Sequence, residues 1–233
     1  MTTAAALSRY ADLPVLIALM EGDEKHKSAA HSALDVLWVL YDQVLEVAPD
    51  TVEDPARDRF LLSKGHGPAA YYAVLAAKGF LDTSALRGWA SFGSPLGHHP
   101  DALLVPGAEI GSGSLGHGLP LALGTALGLR IQGTRRPDGT PPRVVVLVGD
   151  GELDEGSNHE AIAVAGRFGA DTLTTVVLDN GSGRHGWPGG IGTRFETEGW
   201  TARRVDGRDH GALRAALTDP HPGRPLAVVA ALR

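Results

Sequence analysis

An aspartate between two glycines closes the segment VVVLVGDGELDEG, where Gly149, Asp150 and Gly151 follow five consecutive apolar residues. A second apolar run, in TVVLDNGSG, ends 30 residues further on at Asn180. A carboxylate and an amide oxygen are hard ligands suited to Mg²⁺, with Ca²⁺ as a substitute. Mg²⁺ takes few protein ligands and completes its shell with phosphate oxygens and water, so two side chains and a loop carbonyl leave it room. Glycines at 149 and 151 let the backbone approach a diphosphate closely. A helix reading that starts near residue 157 adds a partially positive N-terminus nearby. Either piece alone reads as a turn. Together, one strand–helix–strand period apart, they point to a metal–diphosphate site.

For Asp150 and Asn180 to meet, their two runs must be neighbouring parallel strands. The spacing predicts this: residues 144–148 read as a strand, 157–168 as a helix and 174–178 as a second strand, a βαβ unit buried on both faces. Ligands in such sheets bind beyond the carboxyl ends of the strands. Apolar residues recur at helical spacing over residues 32–47, and residues 68–78 read as a helix stopped by Gly79. Residues 60–62 read as a short extended piece, 84–89 as a short helix, 211–217 as a helix and 226–230 as a strand. Residues 92–116 form a long loop rich in Gly, Pro and His, with Leu104, Val105 and Ile110 as candidate anchors. The fold class expected is α/β, a doubly wound parallel sheet with helices on both faces, in one domain spanning residues 1–233.

Composition narrows the function. With 43% hydrophobic residues, the 233-residue chain can bury a sizeable core. A formal net charge of −6 and the lack of any basic run argue against a nucleic-acid binder. Cysteine is absent, which excludes disulfides and thiolate metal sites. The amino-terminal residues lack a basic leader and no segment reaches the ~18 apolar residues of a membrane span, so a soluble cytoplasmic protein is the expectation.

Five segments, in order, carry a family resemblance: LSKGHGPAAYYAVLAAKGF, GHHPD, GSGSLGHGLPLALGTALGL, VGDGELDEGSNHEA and LDNGSG. GDG followed by Asn about 30 residues later is similar to the thiamine-diphosphate motif, and the whole stretch from about His26 to Gly207 resembles the amino-terminal domain of transketolases. The resemblance implies that Asp150, Asn180 and the Ser182 main-chain carbonyl hold Mg²⁺ with the diphosphate of thiamine diphosphate. It also implies that Gly149 and Gly151 approach that diphosphate, with Gly113 and Leu115 on a loop beside the cofactor. His26, His66 and His99 match positions lining the substrate channel or the diphosphate, where an imidazole can relay protons to sugar hydroxyls. Glu155 matches a glutamate in a subunit-interface network. The implied reaction moves a two-carbon ketol unit from a ketose to an aldehyde.

This chain departs from the family at several channel positions. Asp-Glu-Lys-His-Lys-Ser (23–28) replaces a Gly/Pro-bearing loop around His26, His98 stands where Gly is usual, His117 where Gln is frequent, and His185 where an acid is frequent. In full-length relatives a following domain binds the pyrimidine ring, so a separate carboxy-terminal subunit is the expected partner, in an α₂β₂ assembly. Three alternatives stay open: acyl or acyloin transfer from a 2-oxo acid, a non-catalytic cofactor-binding subunit, and a nicotinamide-dependent oxidoreductase. The last rests on GSGSLG at residues 111–116, which fits GxGxxG but follows no convincing strand.

Overall fold

The computed structural model describes residues 7–20 and 27–232, with side chains in the second stretch described from residue 31. Five strands, β1 (Arg59–Leu62), β2 (Val144–Gly149), β3 (Leu173–Asp179), β4 (Thr201–Asp206) and β5 (Leu226–Ala231), form one sheet. All pairings are parallel, in the spatial order β1-β2-β3-β5-β4. The helices are α1 (Leu13–Ala18), α2 (Lys27–Val39), α3 (Pro68–Ala77), α4 (Gly118–Gln132), α5 (Gly156–Phe168), α6 (Ile191–Glu196) and α7 (His210–Thr218). No described helix is long and apolar enough to cross a membrane.

Strand alternation divides the core in two. Val145 and Leu147 of β2, with Val176 and Leu178 of β3, pack with α1, α2, α3 and α7. Their neighbours Val144, Val146, Val148 and Val177 pack with α4, α5, Phe195 and Trp200 on the other face. Both faces of the central strands are therefore apolar and buried, which is why they read as continuous runs and why the sheet is doubly wound. Burying each such side chain contributes roughly 1.5–3 kcal/mol, so a cavity-forming Val146→Ala would cost about 2 kcal/mol. Register then places the polar ends: Gly149 lies beside Leu178, and Leu178 beside Ala230.

Several elements differ from the sequence expectation. The helix expected over residues 32–47 starts earlier, at Lys27, and after Val39 widens into a π-turn over Leu40–Val44. The short helix expected at 84–89 is a 3₁₀ segment, Thr83–Gly88. Strand β4 and helix α6 carry no clear signal in the sequence. The two arginines of TARRVD obscure the strand, which lies at the sheet edge and is only partly buried. Those arginines are engaged: Arg203 donates to the carbonyls of Ala216, Asp219 and Pro220, and Arg204 pairs with Asp179 at 2.9 Å.

The long loop is pinned from beneath. The hydroxyls of Tyr71 and Tyr72 in α3 donate to the carbonyls of Gly107 and Gly97, each at 3.1 Å, and Trp89 Nε1 donates to Gly97 as well. Of the three expected anchors, Val105 is buried and Ile110 is partly buried against the second core. Leu104 is 55% exposed and anchors nothing, because the turn begun at Asp101 directs it outward.

Candidate active site

Strand β2 ends at Gly149 because the next residue begins a 3₁₀ turn, Gly151–Asp154, capped by Asp150. The Asp150 main-chain N–H is tied to the Leu178 carbonyl at 3.1 Å, which fixes its carboxylate at the border with β3. That carboxylate is buried, and protein donors replace its hydration. One oxygen accepts from Gly151 N at 3.0 Å and Ser182 Oγ at 2.5 Å, the other from Gly183 N at 3.0 Å. Asn180 follows β3 directly, and its Oδ1 accepts from Ser182 N at 3.2 Å. The Ser182 carbonyl oxygen lies 3.5 Å from where a Cβ on Gly151 would stand. Asp150, Asn180 and Ser182 are thus brought together at adjoining strand ends.

This donor set fits a hard cation. Among the described residues no three His, Cys, Asp or Glu gather into a metal cluster, so a cation here would rely on one carboxylate and neutral oxygens. Mg²⁺ with diphosphate oxygens completing its shell suits such a set. The bare backbone at Gly151 and Gly183 leaves the cradle open, since a Cβ at either would fill space in van der Waals contact with Ser182 and the Asp150 carbonyl. Helix α5 begins a few residues away at Gly156, presenting its N-terminus to the same edge.

The histidines sit differently. His66 is exposed, immediately before Gly67, the residue that caps α3. His99 is also exposed and lies against the loop: a Cβ at Gly113, whose φ is +111°, would come within 2.9 Å of its ring. Only glycine meets both the conformation and the space there. Although its residue surface is largely exposed, desolvation of the ring and the neighbouring His98 charge hold the His99 imidazole below its ordinary value. Leu115, 44% exposed, approaches Gly65, where an added Cβ would stand 3.2 Å from its Cδ2. Gly113 thus sits against His99, and Leu115, two residues on, sits against Gly65, next to His66.

His98 packs edge-on to Trp89 at 5.4 Å, while His117 and His185 are exposed. Glu155 is exposed at the N-cap of α5, with its Cβ 2.7 Å from where one on Gly116 would be. His26 lies outside the described residues.

Four polar residues at this edge are missed by sequence reasoning: Ser63, Lys64, Glu152 and Asn158. Glu152 is 4% exposed and accepts from Ser63 Oγ, from Gly116 N at 3.0 Å and from Gly149 N at 3.3 Å. Asn158 is fully buried and donates to the Glu152 carbonyl at 2.7 Å. Burial pushes the Glu152 carboxyl up, opposed by those donors and by Lys64. Lys64 is itself buried, which lowers its pKa against the attraction of Asp150 and Glu152. The signals that could have found them are an unbroken Ser-Lys pair directly after an apolar strand, and a second acid two residues beyond Asp150.

The GxGxxG match at residues 111–116 has no strand before it: β1 ends at Leu62 and β2 begins at Val144. A dinucleotide fingerprint needs that strand, so the nicotinamide alternative loses its structural support.

Comparison with known proteins agrees with the geometry. Residues 15–228 match the family model described as "Transketolase, thiamine diphosphate binding domain". The chain is 58% identical over 221 residues to "Ferredoxin fas2" of Rhodococcoides fascians, covering 95% of this chain and 71% of that protein. It is 34% identical over 212 residues to an apulose-4-phosphate transketolase subunit of Actinobacillus succinogenes, covering 88% and 75%. Among solved structures, a transketolase variant from Pichia stipitis superposes with a TM-score of 0.80 at 26% identity, covering 97% of this chain and 35% of that one. The chain thus spans about a third of the length of that solved transketolase. Fe–S clusters are held by cysteine thiolates, and this chain has none, so the ferredoxin designation is not carried over.

Proposed function

Because the chain belongs to the transketolase family, as its thiamine-diphosphate-binding domain, we propose that it is the diphosphate-binding subunit of a two-component enzyme. That enzyme would transfer a two-carbon ketol unit from a ketose to an aldehyde, its second component being a separate pyrimidine-binding subunit. The observation that carries the reading is the convergence of Asp150, Asn180 and the Ser182 carbonyl at the ends of β2 and β3. A relative that is itself named as one subunit of a transketolase supports the division into two chains. Mg²⁺, an α₂β₂ assembly and a cytoplasmic setting belong to the same reading.

Thiamine diphosphate, when bound, supplies a nucleophilic carbon and an electron sink for breaking and forming a carbon–carbon bond. The protein's part is orientation and electrostatics. Asp150, Asn180 and the Ser182 carbonyl would hold Mg²⁺, and Gly149 and Gly151 would let the main chain approach the diphosphate. Lys64 lies beside Gly149, with its Nζ 3.8 Å from an added Cβ there, and contributes positive charge to the same corner. His66 and His99, both exposed, would exchange protons with substrate hydroxyls, as an imidazole can near neutral pH. Desolvation and the His98 charge favour the neutral His99 ring, the form that accepts a proton. Glu155 and His26 keep the roles the family pattern assigns them, at the subunit interface and the substrate channel.

Reconstitution tests the proposal. The pure chain with thiamine diphosphate and Mg²⁺ should give no ketol transfer from a ketose phosphate to an aldehyde, and adding the partner subunit should restore it. Robust turnover by the chain alone would overturn the two-component reading. A complex that binds cofactor but turns over only a 2-oxo acid would replace ketol transfer with acyl transfer.

A further inference from the structure

We infer that Glu152 is a positioning residue for the cofactor site: its buried carboxylate draws the Gly-rich loop 111–117 onto the ends of β1 and β2. The cofactor half of this inference rests on the functional reading above; the clasp itself rests on geometry alone.

The carboxylate gathers three separate segments. One oxygen accepts both from Ser63 Oγ, just past β1, and from Gly116 N in the loop; the other accepts from Gly149 N at the end of β2. Ser63 Oγ in turn accepts from Gly118 N at 3.0 Å, at the start of α4. Ser157 Oγ donates to the Gly116 carbonyl at 2.7 Å, tying the same loop residue to α5. The fit is close, since an added Cβ on Gly118 would fall 2.2 Å from Ser63 Cβ, and one on Gly116 would fall 2.6 Å from Ser157 Oγ. A buried carboxylate is tolerated only when donors and counter-charge compensate its lost hydration, and here the compensating groups come from segments that border the cradle. Gly149 adjoins Asp150, and Gly116 terminates the turn that carries Gly113 and Leu115.

A buried acid that merely held the fold would act otherwise. Asp58 is such a group, 1% exposed at the opposite edge before β1, where it pairs with Arg136 and accepts from the N–H groups of Glu46 and Arg143. Its loss should lower stability and leave cofactor affinity alone. Loss of the Glu152 charge should loosen the loop and weaken cofactor binding in a protein that remains folded. Replacing the carboxylate by an amide turns an NH₂ either toward Gly149 N–H or toward the Ser63 and Gly116 donors, and it removes the negative charge those donors share.

The test uses the full chain, with the partner subunit present for the binding arm. In Glu152→Gln, NMR-detected amide exchange at Gly116 and Gly149 should rise about tenfold while Val146 and Val176 keep their protection. The Kd for thiamine diphosphate with Mg²⁺ should rise about tenfold under conditions where melting curves show both proteins folded. In Asp58→Asn the melting temperature should fall with that Kd unchanged. Unaltered exchange at Gly116 and Gly149, or unaltered affinity in a loosened loop, would overturn the inference. If Glu152→Gln does not fold, Ser63→Ala removes one donor to Glu152 and the acceptor of Gly118 N, and about a threefold change in both readings is expected; no change would likewise overturn it. Wild-type uptake separates the two ideas. Its absence defeats the functional reading, whereas normal uptake with an unmoved Glu152→Gln defeats this one.

Discussion

Two neighbourhoods meet at the carboxyl edge of the sheet, and they are built on opposite principles. Around Asp150 and Glu152 the polar groups are buried and answered by protein donors, so geometry is set before any ligand arrives. Around His66 and His99 the side chains are exposed on loops, and Leu115 lies 44% open beside them. The first neighbourhood is preorganised by its own hydrogen bonds, as the proposed metal–diphosphate site would require. The second presents titratable groups at a surface that another chain or a substrate can cover. That contrast is what a subunit carrying the anchoring half of a shared site requires: strong positioning of the cofactor's charged end, and a reacting face left open.

The contrast can be broken most sharply at the metal. Asp150→Ala should weaken Mg²⁺-dependent uptake of thiamine diphosphate about a hundredfold, because it removes a buried charged partner; titration calorimetry reads this directly, and an unchanged affinity would refute the metal assignment. A smaller effect is expected where the two neighbourhoods touch. In Gly113→Ala the new methyl meets the His99 ring in a backbone region with φ +111°, so turnover of the reconstituted enzyme should drop about tenfold. Cofactor affinity should change less than turnover, which would show that the histidine side serves chemistry more than anchoring.

The smallest effect is electrostatic. His99 should titrate below 6.5 in the folded chain, and His98→Gln should move it upward, as followed by ring-proton NMR. The sign is fixed by the direction of the shift. A neutral form favoured by folding contributes stability that is present above the ordinary histidine value and is lost as pH falls through the lower folded one. A His99 that titrated above 6.5 would mean its ring is paired with an acid instead of crowded by His98.

Much of the fold is legible in the sequence because burial on both faces writes an unmistakable pattern. The β2 and β3 runs, VVVLV and the apolar end of LTTVVLD, are continuous since each side chain enters one core or the other. Their spacing is enough to bring Asp150 beside Asn180. Strand β4 is hidden because an edge strand with Arg203 and Arg204 carries neither a continuous nor a cleanly alternating pattern. The candidate metal ligands can be read since Asp150 and Asn180 directly follow strong strands and each is followed by a glycine. Glu152 cannot, because a carboxylate in GELDEG looks like one more surface acid, and its burial depends on a loop 36 residues earlier in the chain. Ser63 and Lys64 are visible as a motif, but what they contact follows only from the β1–β2 pairing.

Calorimetric titration of thiamine diphosphate and Mg²⁺ into the purified chain, with and without the partner subunit, tests the central claim most directly. The account predicts tight, Mg²⁺-dependent binding when the partner is present and much weaker binding to the chain alone. No binding under either condition would contradict it, leaving a transketolase-family domain whose strand-end oxygens hold something else.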